Sequence, residues 1–346
     1  MTPPAARRRL SLRGRLLVSL GTLLTALLAV EVVYRLATYG AAGFQPAEMA
    51  TMRLTRARNL LRESPFDGIR YLYLPGIDTR FKMAGFRTNS EGWRDGEVAV
   101  PRPVGTRRLA FVGDSFVMGS GVELEDVFHS VLERRLTERF PDTRFECLNL
   151  GVGGFNLGDY AGVLRHVVPR YEPDLVVVGL CWNDSDPQSD PTRRYVPPPA
   201  VPPFLGLHSL AALRRAWSLR ARRLEPPPGG AERAARPGLS PMATYVLEHF
   251  EAFRAWSDET GTPLLLVYLN YRTRDEYSLN AAGRFARMAA EAGLPYLDMT
   301  SRFRGTRARE LQIFDNDPHP NAEAHAVFAA ALEERLSRGD LIGLGQ

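Results

Sequence analysis

LAFVGDSF, Leu109–Phe116, is the stretch from which the rest of the chain is read. Its apolar run Leu109–Val112 has strand character and stops at Gly113-Asp114-Ser115. Beyond it, the spacing of Val127, Val131, Leu132 and Leu136 predicts a helix from about Val122 to Phe140. A strand-to-helix turn of this kind lifts a serine hydroxyl onto the carboxyl edge of a sheet, where open α/β folds bind their ligands. Taken alone, Gly-Asp-Ser reads equally as a loop with a helix cap. Serine is a weak nucleophile without a base, so the rest of the chain has to supply one.

Outward from this turn the pattern alternates. Strand 2 is expected at Thr143–Leu148, followed by the loop GVGGFN and a helix at Leu157–Tyr171; strand 3 is expected at Leu175–Leu180, ending in CWNDSD. After an interruption come a helix at Met242–Thr260, strand 4 at Pro263–Leu269, a helix at Asn280–Ala292, a short strand 5 at Pro295–Asp298 and a closing helix at Asn321–Ser337. Strands and helices alternating at these lengths predict an α/β three-layer sandwich with a five-stranded parallel sheet in the flavodoxin-like order 2-1-3-4-5. In that order strand 1 separates Cys147 from Cys181, leaving their backbones roughly 9 to 10 Å apart, too far for a disulfide. Both read as small buried apolar residues.

The interruption, 187–240, carries proline clusters at Pro197–Pro203 and Pro226–Pro228. Between them Leu210, Leu213, Trp217 and Leu224 fall on one helical face. From Arg193 through Arg236, nine arginines against Glu225 and Glu232 make this insertion strongly basic. It reads as a lid, as a patch on anionic lipid, or as a solvated helix docked by its apolar face. Upstream, 41–105 is an Arg-, Gly- and Pro-rich approach segment with Tyr71-Leu72-Tyr73 and FRTNSEGWRDGE, Phe86–Glu97. Its alternation suggests a short hairpin packed beside the catalytic domain, 106–346.

Residues 1–40 form an arginine-rich tail and an apolar run. Five arginines between Arg7 and Arg15 precede Leu16–Tyr34, nineteen residues broken only by Glu31. As a helix this run is roughly 28 Å long, close to the hydrocarbon thickness of about 30 Å. Glu31 stands four residues before Arg35, so the two can pair near the far end. The positive-inside rule puts the N-terminus in the cytoplasm and the rest outside, in the periplasm. A cleaved signal peptide and a soluble helix are the alternatives; Glu31-Val32-Val33-Tyr34 fits a cleavage site poorly. The net charge of +5 resides in this tail, so the remainder sums to zero and no basic field argues for nucleic acid. Lys82 is the one lysine, which reads as arginine-biased coding.

With DNDPHPN, Asp315–Asn321, between strand 5 and the last helix, four strand-end loops share one edge, and each has a chemical task. Ser115 is the hydroxyl nucleophile, His319 the base that takes its proton, and a carboxylate just upstream of His319 orients the imidazole. The backbone amides of Ser115 and Gly154 and the side-chain amide of Asn183 suit an oxyanion hole. Each residue alone has an ordinary explanation, as a turn glycine, a capping asparagine or a loop histidine. Their order at successive strand ends gives the set its weight. The other five histidines lie on predicted helices without ligand spacing, and no metal or cofactor is implied. Asn183-Asp184-Ser185 matches a glycosylation sequon by chance.

The blocks GDS, N-x-G-x-x-G (Asn149–Gly154), a strand-ending W-N-D and D-x-H-P-N resemble those of the SGNH (GDSL-type) hydrolase superfamily, over Arg108–Gly121, Leu148–Phe155, Asp174–Asp184 and Phe314–Ala330. The TNSEGWR-like segment ahead of them resembles the membrane-anchored envelope subgroup. The resemblance implies a covalent acyl-enzyme, with Ser115 as nucleophile, Gly154 and Asn183 in the oxyanion hole and His319 as base. The sequence departs from the common D-x-x-H pattern, since Asn316 stands three residues before His319; Asp317 is the assignment and Asp315 the alternative. Asp114 is expected to brace the loop. The resemblance implies a serine esterase acting on acylated glycans or lipids. An O-acyltransferase using the same acyl-enzyme, or a catalytically silent glycan-binding envelope protein, are the other readings; protein partners are not indicated.

Overall fold

The computed structural model describes residues 11–50, 60–185, 209, 213, 236–315, 317–339 and 341. It divides into two units. The first comprises Met1–Met49 with Val201–Pro226, the second Ala50–Ala200 with Pro227–Gln346.

In the first unit helix α1, Leu12–Tyr39, is capped by Ser11, whose side chain accepts from Gly14 N. It is longer than the apolar run because Arg13, Arg15 and Arg35 are good helix formers and extend it at both ends. Its leucines and valines stand exposed, and it is long and apolar enough to cross a membrane. The expected pair forms: Arg35 Nε donates to Glu31 Oε1 at 2.8 Å and Nη1 to the Gly43 carbonyl at 3.0 Å. The other carboxylate oxygen of Glu31 accepts from Ser209 N and Oγ at 2.9 and 2.7 Å. A short helix α2, Pro46–Ala50, follows. Apart from Ser209, Leu213 and 236–240, the predicted insertion lies outside the described residues.

The second unit begins with two antiparallel hairpins: β1 (Leu61–Glu63) pairs with β2 (Tyr71–Tyr73), and β3 (Asp78–Phe81) with β4 (Ala84–Arg87). The sequence suggested only one, because strands of three or four residues scarcely register as alternation. The sheet strands are β5 (Thr106–Gly113), β6 (Arg144–Gly151), β7 (Leu175–Leu180), β8 (Leu264–Tyr268) and β9 (Tyr296–Asp298). They are all parallel, in the order β6-β5-β7-β8-β9, the expected 2-1-3-4-5.

A central parallel strand is covered on both faces and reads as continuous hydrophobicity. In β5, Ala110 and Val112 point into one core and Leu109 and Phe111 into the other; β7 and β8 divide in the same way. The first core is closed by helices α5 (Leu157–His166), α6 (Pro241–Thr260) and α7 (Glu276–Glu291), and by Tyr71, Tyr73, Phe86 and Trp93 of the approach segment. The second is closed by α4 (Phe128–Arg139) and α8 (Ala322–Leu336). Cys147 and Cys181 are free and buried.

Three boundaries differ from expectation for local reasons. The helix after β5 is two pieces: α3, Ser115–Met118, ends at Gly119 in the left-handed region, and α4 begins only at Phe128. α5 stops at His166, where Pro169 enters a 3₁₀ turn. α7 starts four residues before Asn280, because Asp275 caps it by accepting from Ser278 N.

Candidate active site

The order of the sheet reverses at β5, with β6 on one side and β7 on the other, so their carboxyl ends flank a topological switch point. β5 ends there at Gly113. A Cβ on Gly113 would lie 2.2 Å from Val117 Cγ2 and 2.9 Å from the Gly179 carbonyl, so only glycine lets the chain turn this tightly. Asp114 then caps α3, accepting from Phe116 N at 2.8 Å. This capping presents Ser115 at the first position of α3.

His319 reaches the serine from a hairpin, which the sequence reading had as a loop. β10 (Gln312–Phe314) pairs irregularly with β11 (Asp317–Pro320). His319 Nε2 lies 2.8 Å from Ser115 Oγ, and its Nδ1 is hydrogen-bonded to Asp317 Oδ1, which also accepts from His319 N at 3.2 Å. With the proton on Nδ1, the imidazole donates to Asp317 and offers Nε2 as acceptor to the serine hydroxyl. Although burial raises the Asp317 pKa, the hydrogen bond from His319 and the charges of His319 and Lys82 hold it well below the usual carboxylate range. Asp315 is exposed at the hairpin tip. The rings of Phe116 and His319 lie 5.6 Å apart, and Trp182 meets Phe116 edge-on at 5.0 Å, giving the imidazole an apolar wall.

Gly154 and Asn183 stand on the loops after β6 and β7, on the same sheet edge, and both are exposed. Gly154 adopts φ +85°, and a Cβ there would come within 2.8 Å of Tyr71 Oη. Asn183 turns its Oδ1 to the Cys181 thiol at 2.7 Å, which directs its amide hydrogens elsewhere. Asn149, the first residue of N-x-G-x-x-G, is buried; its Nδ2 donates to the Arg94 carbonyl and its Oδ1 accepts from Gly151 N, both at 3.0 Å. It fixes the loop from behind.

Asp114, Cys181 and Asp184 bring ligand atoms within 4.8 Å of one another beneath the serine. The group is already hydrogen-bonded: the Cys181 thiol contacts Asp114 Oδ2 at 3.1 Å, and Asp184 accepts from Tyr160 Oη and Cys181 N. Burial raises the pKa of both carboxyls and of the thiol, which favours protonated, neutral forms over cation ligands.

The sequence reading missed what the approach segment contributes. Tyr71 Oη donates to the Gly153 carbonyl at 2.8 Å, and Gly153 N donates to Tyr73 Oη at 3.0 Å. Arg70 pairs with the buried Asp159 at 2.7 Å and reaches the Gly154 carbonyl. Arg94, wholly buried, donates to four backbone carbonyls around the end of α3. Lys82 meets Asp317 and His319. Its isolation among arginines was the only signal in the sequence.

The family model described as GDSL-like Lipase/Acylhydrolase family matches residues 111–327. No curated protein matches the chain. Among solved structures, the chain is similar to LAE5, an alpha/beta hydrolase enzyme from the metagenome of Lake Arreo, Spain, at 16% identity, covering 65% of this chain and 93% of that one, with TM-score 0.42. It is also similar to Axe2, an acetylxylan esterase from Geobacillus stearothermophilus, at 15% identity, covering 67% and 95%, with TM-score 0.40. A two-domain esterase active on acetylated mannans matches at 18% identity over 70% of this chain and 51% of that one, with TM-score 0.42.

Proposed function

Because the chain belongs to the GDSL-like lipase/acylhydrolase family, we propose that it is a serine ester hydrolase working through Ser115, His319 and Asp317 on acylated glycans or lipids. The observation that carries this is the 2.8 Å contact between Ser115 Oγ and His319 Nε2, with Asp317 behind the ring. Ser115 Oγ attacks the ester carbonyl carbon while His319 Nε2 takes its proton. The resulting oxyanion is held by the N–H groups of Ser115 and Gly154 and the Nδ2 of Asn183. On collapse His319 returns the proton to the departing alcohol, leaving an acyl ester on Ser115. Water, deprotonated by the same imidazole, then releases the acid and restores the serine.

In this reading 106–346 is the catalytic domain, with the insertion 187–240, and 41–105 is packed on it. Helix α1 anchors the protein, with the arginine-rich N-terminus in the cytoplasm and the esterase outside, as in the membrane-anchored envelope subgroup. The apolar exposure of α1 and the five arginines ahead of its apolar run support this placement.

The test uses full-length protein in detergent with p-nitrophenyl acetate and an acetylated glycan, with and without an acceptor sugar. Ser115→Ala is expected to lose about four orders of magnitude in kcat or more. Retained activity removes Ser115 as nucleophile, and acetyl transfer to the acceptor in preference to water replaces hydrolase by O-acyltransferase.

A further inference from the structure

Lys82 sits in the two-residue turn joining β3 and β4, where Phe81 pairs with Ala84. Lys82 and Met83 both have positive φ, 51° and 68°. Turns of this geometry are made readily by Asn-Gly, whereas side chains such as these adopt it under strain. The strain has a local counterpart. The lysine side chain is only 11% exposed, its Nζ lies 5.2 Å from the centre of the Phe81 ring, and it points at the back of the site. Nζ is 2.7 Å from Asp317 Oδ2 and 3.0 Å from His319 Nδ1.

We propose that Lys82 is a positioning residue of the catalytic centre: it holds the Asp317 carboxylate in place by Oδ2, leaving Oδ1 for His319. The inference rests on the hydrolase reading above. Nδ1 has one in-plane site. With its hydrogen directed to Asp317 Oδ1, the ammonium's hydrogens go to Oδ2, so the carboxylate is gripped at both oxygens and cannot rotate away. With the carboxylate fixed, the imidazole keeps the orientation that aims Nε2 at Ser115 Oγ. Asp114, across the serine, buried His325, and Tyr271, whose hydroxyl donates to the Pro318 carbonyl, also face this site. Glu123 and Asp126 line, with Lys82, a cavity of 310 Å³ beside the turn.

Rates are measured on full-length Lys82→Met, Lys82→Arg, Asp317→Asn and the double variant Lys82→Met/Asp317→Asn, together with Tm. In Lys82→Met, kcat is expected to fall about 10- to 100-fold with KM within about twofold. In the Asp317→Asn background the same change should cost less than about threefold further, because the carboxylate that Lys82 holds is already gone. Lys82→Arg keeps the charge and a donor for Oδ2, so kcat should recover in part. A Lys82→Met loss undiminished in the Asp317→Asn background overturns the inference, because a loosened turn slows both proteins alike. An inactive Ser115→Ala beside that result fells only the role of Lys82; an active Ser115→Ala fells the hydrolase reading itself.

Discussion

Arg94→Met tests how the approach segment is bound to α3, the helix that begins at Ser115. Arg94 is 1% exposed. Nη1 donates to the carbonyls of Met118 and Gly119 at 2.8 and 2.7 Å, and Nη2 to those of Gly85 and Val122 at 2.8 and 2.5 Å. A hydrogen bond from a charged donor contributes about 1.5–3 kcal/mol, so four give a gross gain of about 6–12 kcal/mol. Desolvation opposes it. All four acceptors are neutral carbonyls, and burial pulls the Arg94 pKa down to about 10. That drop corresponds to about 3 kcal/mol against the charged form. Methionine keeps part of the packing on Phe86, whose ring centre lies 5.5 Å from the guanidinium carbon, and water can reach some of the released carbonyls. The expected net loss is about 3–5 kcal/mol, read by urea unfolding of the full-length protein in detergent through tryptophan fluorescence, with Trp93 and Trp182 as reporters in the affected unit. Arg94→Lys should recover less than half, since one ammonium with three hydrogens cannot serve four separated carbonyls. A loss below about 1 kcal/mol in Arg94→Met would refute the reasoning, because the four bonds would then merely balance the burial of the charge.

Asp317→Asn should lower kcat by about three to four orders of magnitude, since an amide can donate to Nδ1 and fix the wrong tautomer. Asp315→Asn, at the exposed hairpin tip, should change kcat by less than about threefold; a larger loss at Asp315 than at Asp317 overturns the choice between them. Membrane fractions carrying the full chain should retain it through an alkaline carbonate wash and release it in detergent, as expected for a spanning helix; release by carbonate alone removes the anchor.

The sheet was legible because strands covered on both faces leave a signal that needs no partner to interpret. Leu109–Val112 and Leu175–Leu180 are apolar at every position except Gly179, and the glycines after β5 and β6 mark where the loops turn. β10 and β11 leave no such signal. Asp317-Pro318-His319-Pro320 has little strand propensity, and its pairing with Gln312–Phe314 depends on docking: Tyr271 Oη donates to the Pro318 carbonyl at 2.7 Å from a loop about fifty residues earlier. The assignment of Asp317 rests on the family resemblance, which allows D-x-H; the hairpin supplies the physical reason, since a carboxylate two residues before a histidine on an extended segment lies on the same face of it.

The approach segment resisted reading for a different reason. Arg70, Tyr71 and Arg94 are amphipathic, and whether such side chains lie in solvent or in a core depends on acceptors that other elements bring. Here the acceptors include backbone carbonyls at the end of α3 and in the glycine loop: Met118, Gly119, Gly153 and Gly154. Those carbonyls belong to turns, where the ladder bonds of a helix or sheet are missing, and a buried carbonyl without a donor is costly. The turns that present Ser115 and Gly154 at the sheet edge are thus the same turns that need outside donors. Residues 70–94 provide them, and Lys82 extends the same service to Asp317. A boundary drawn where the strands begin to alternate, at residue 106, divides donors from acceptors that form one structure.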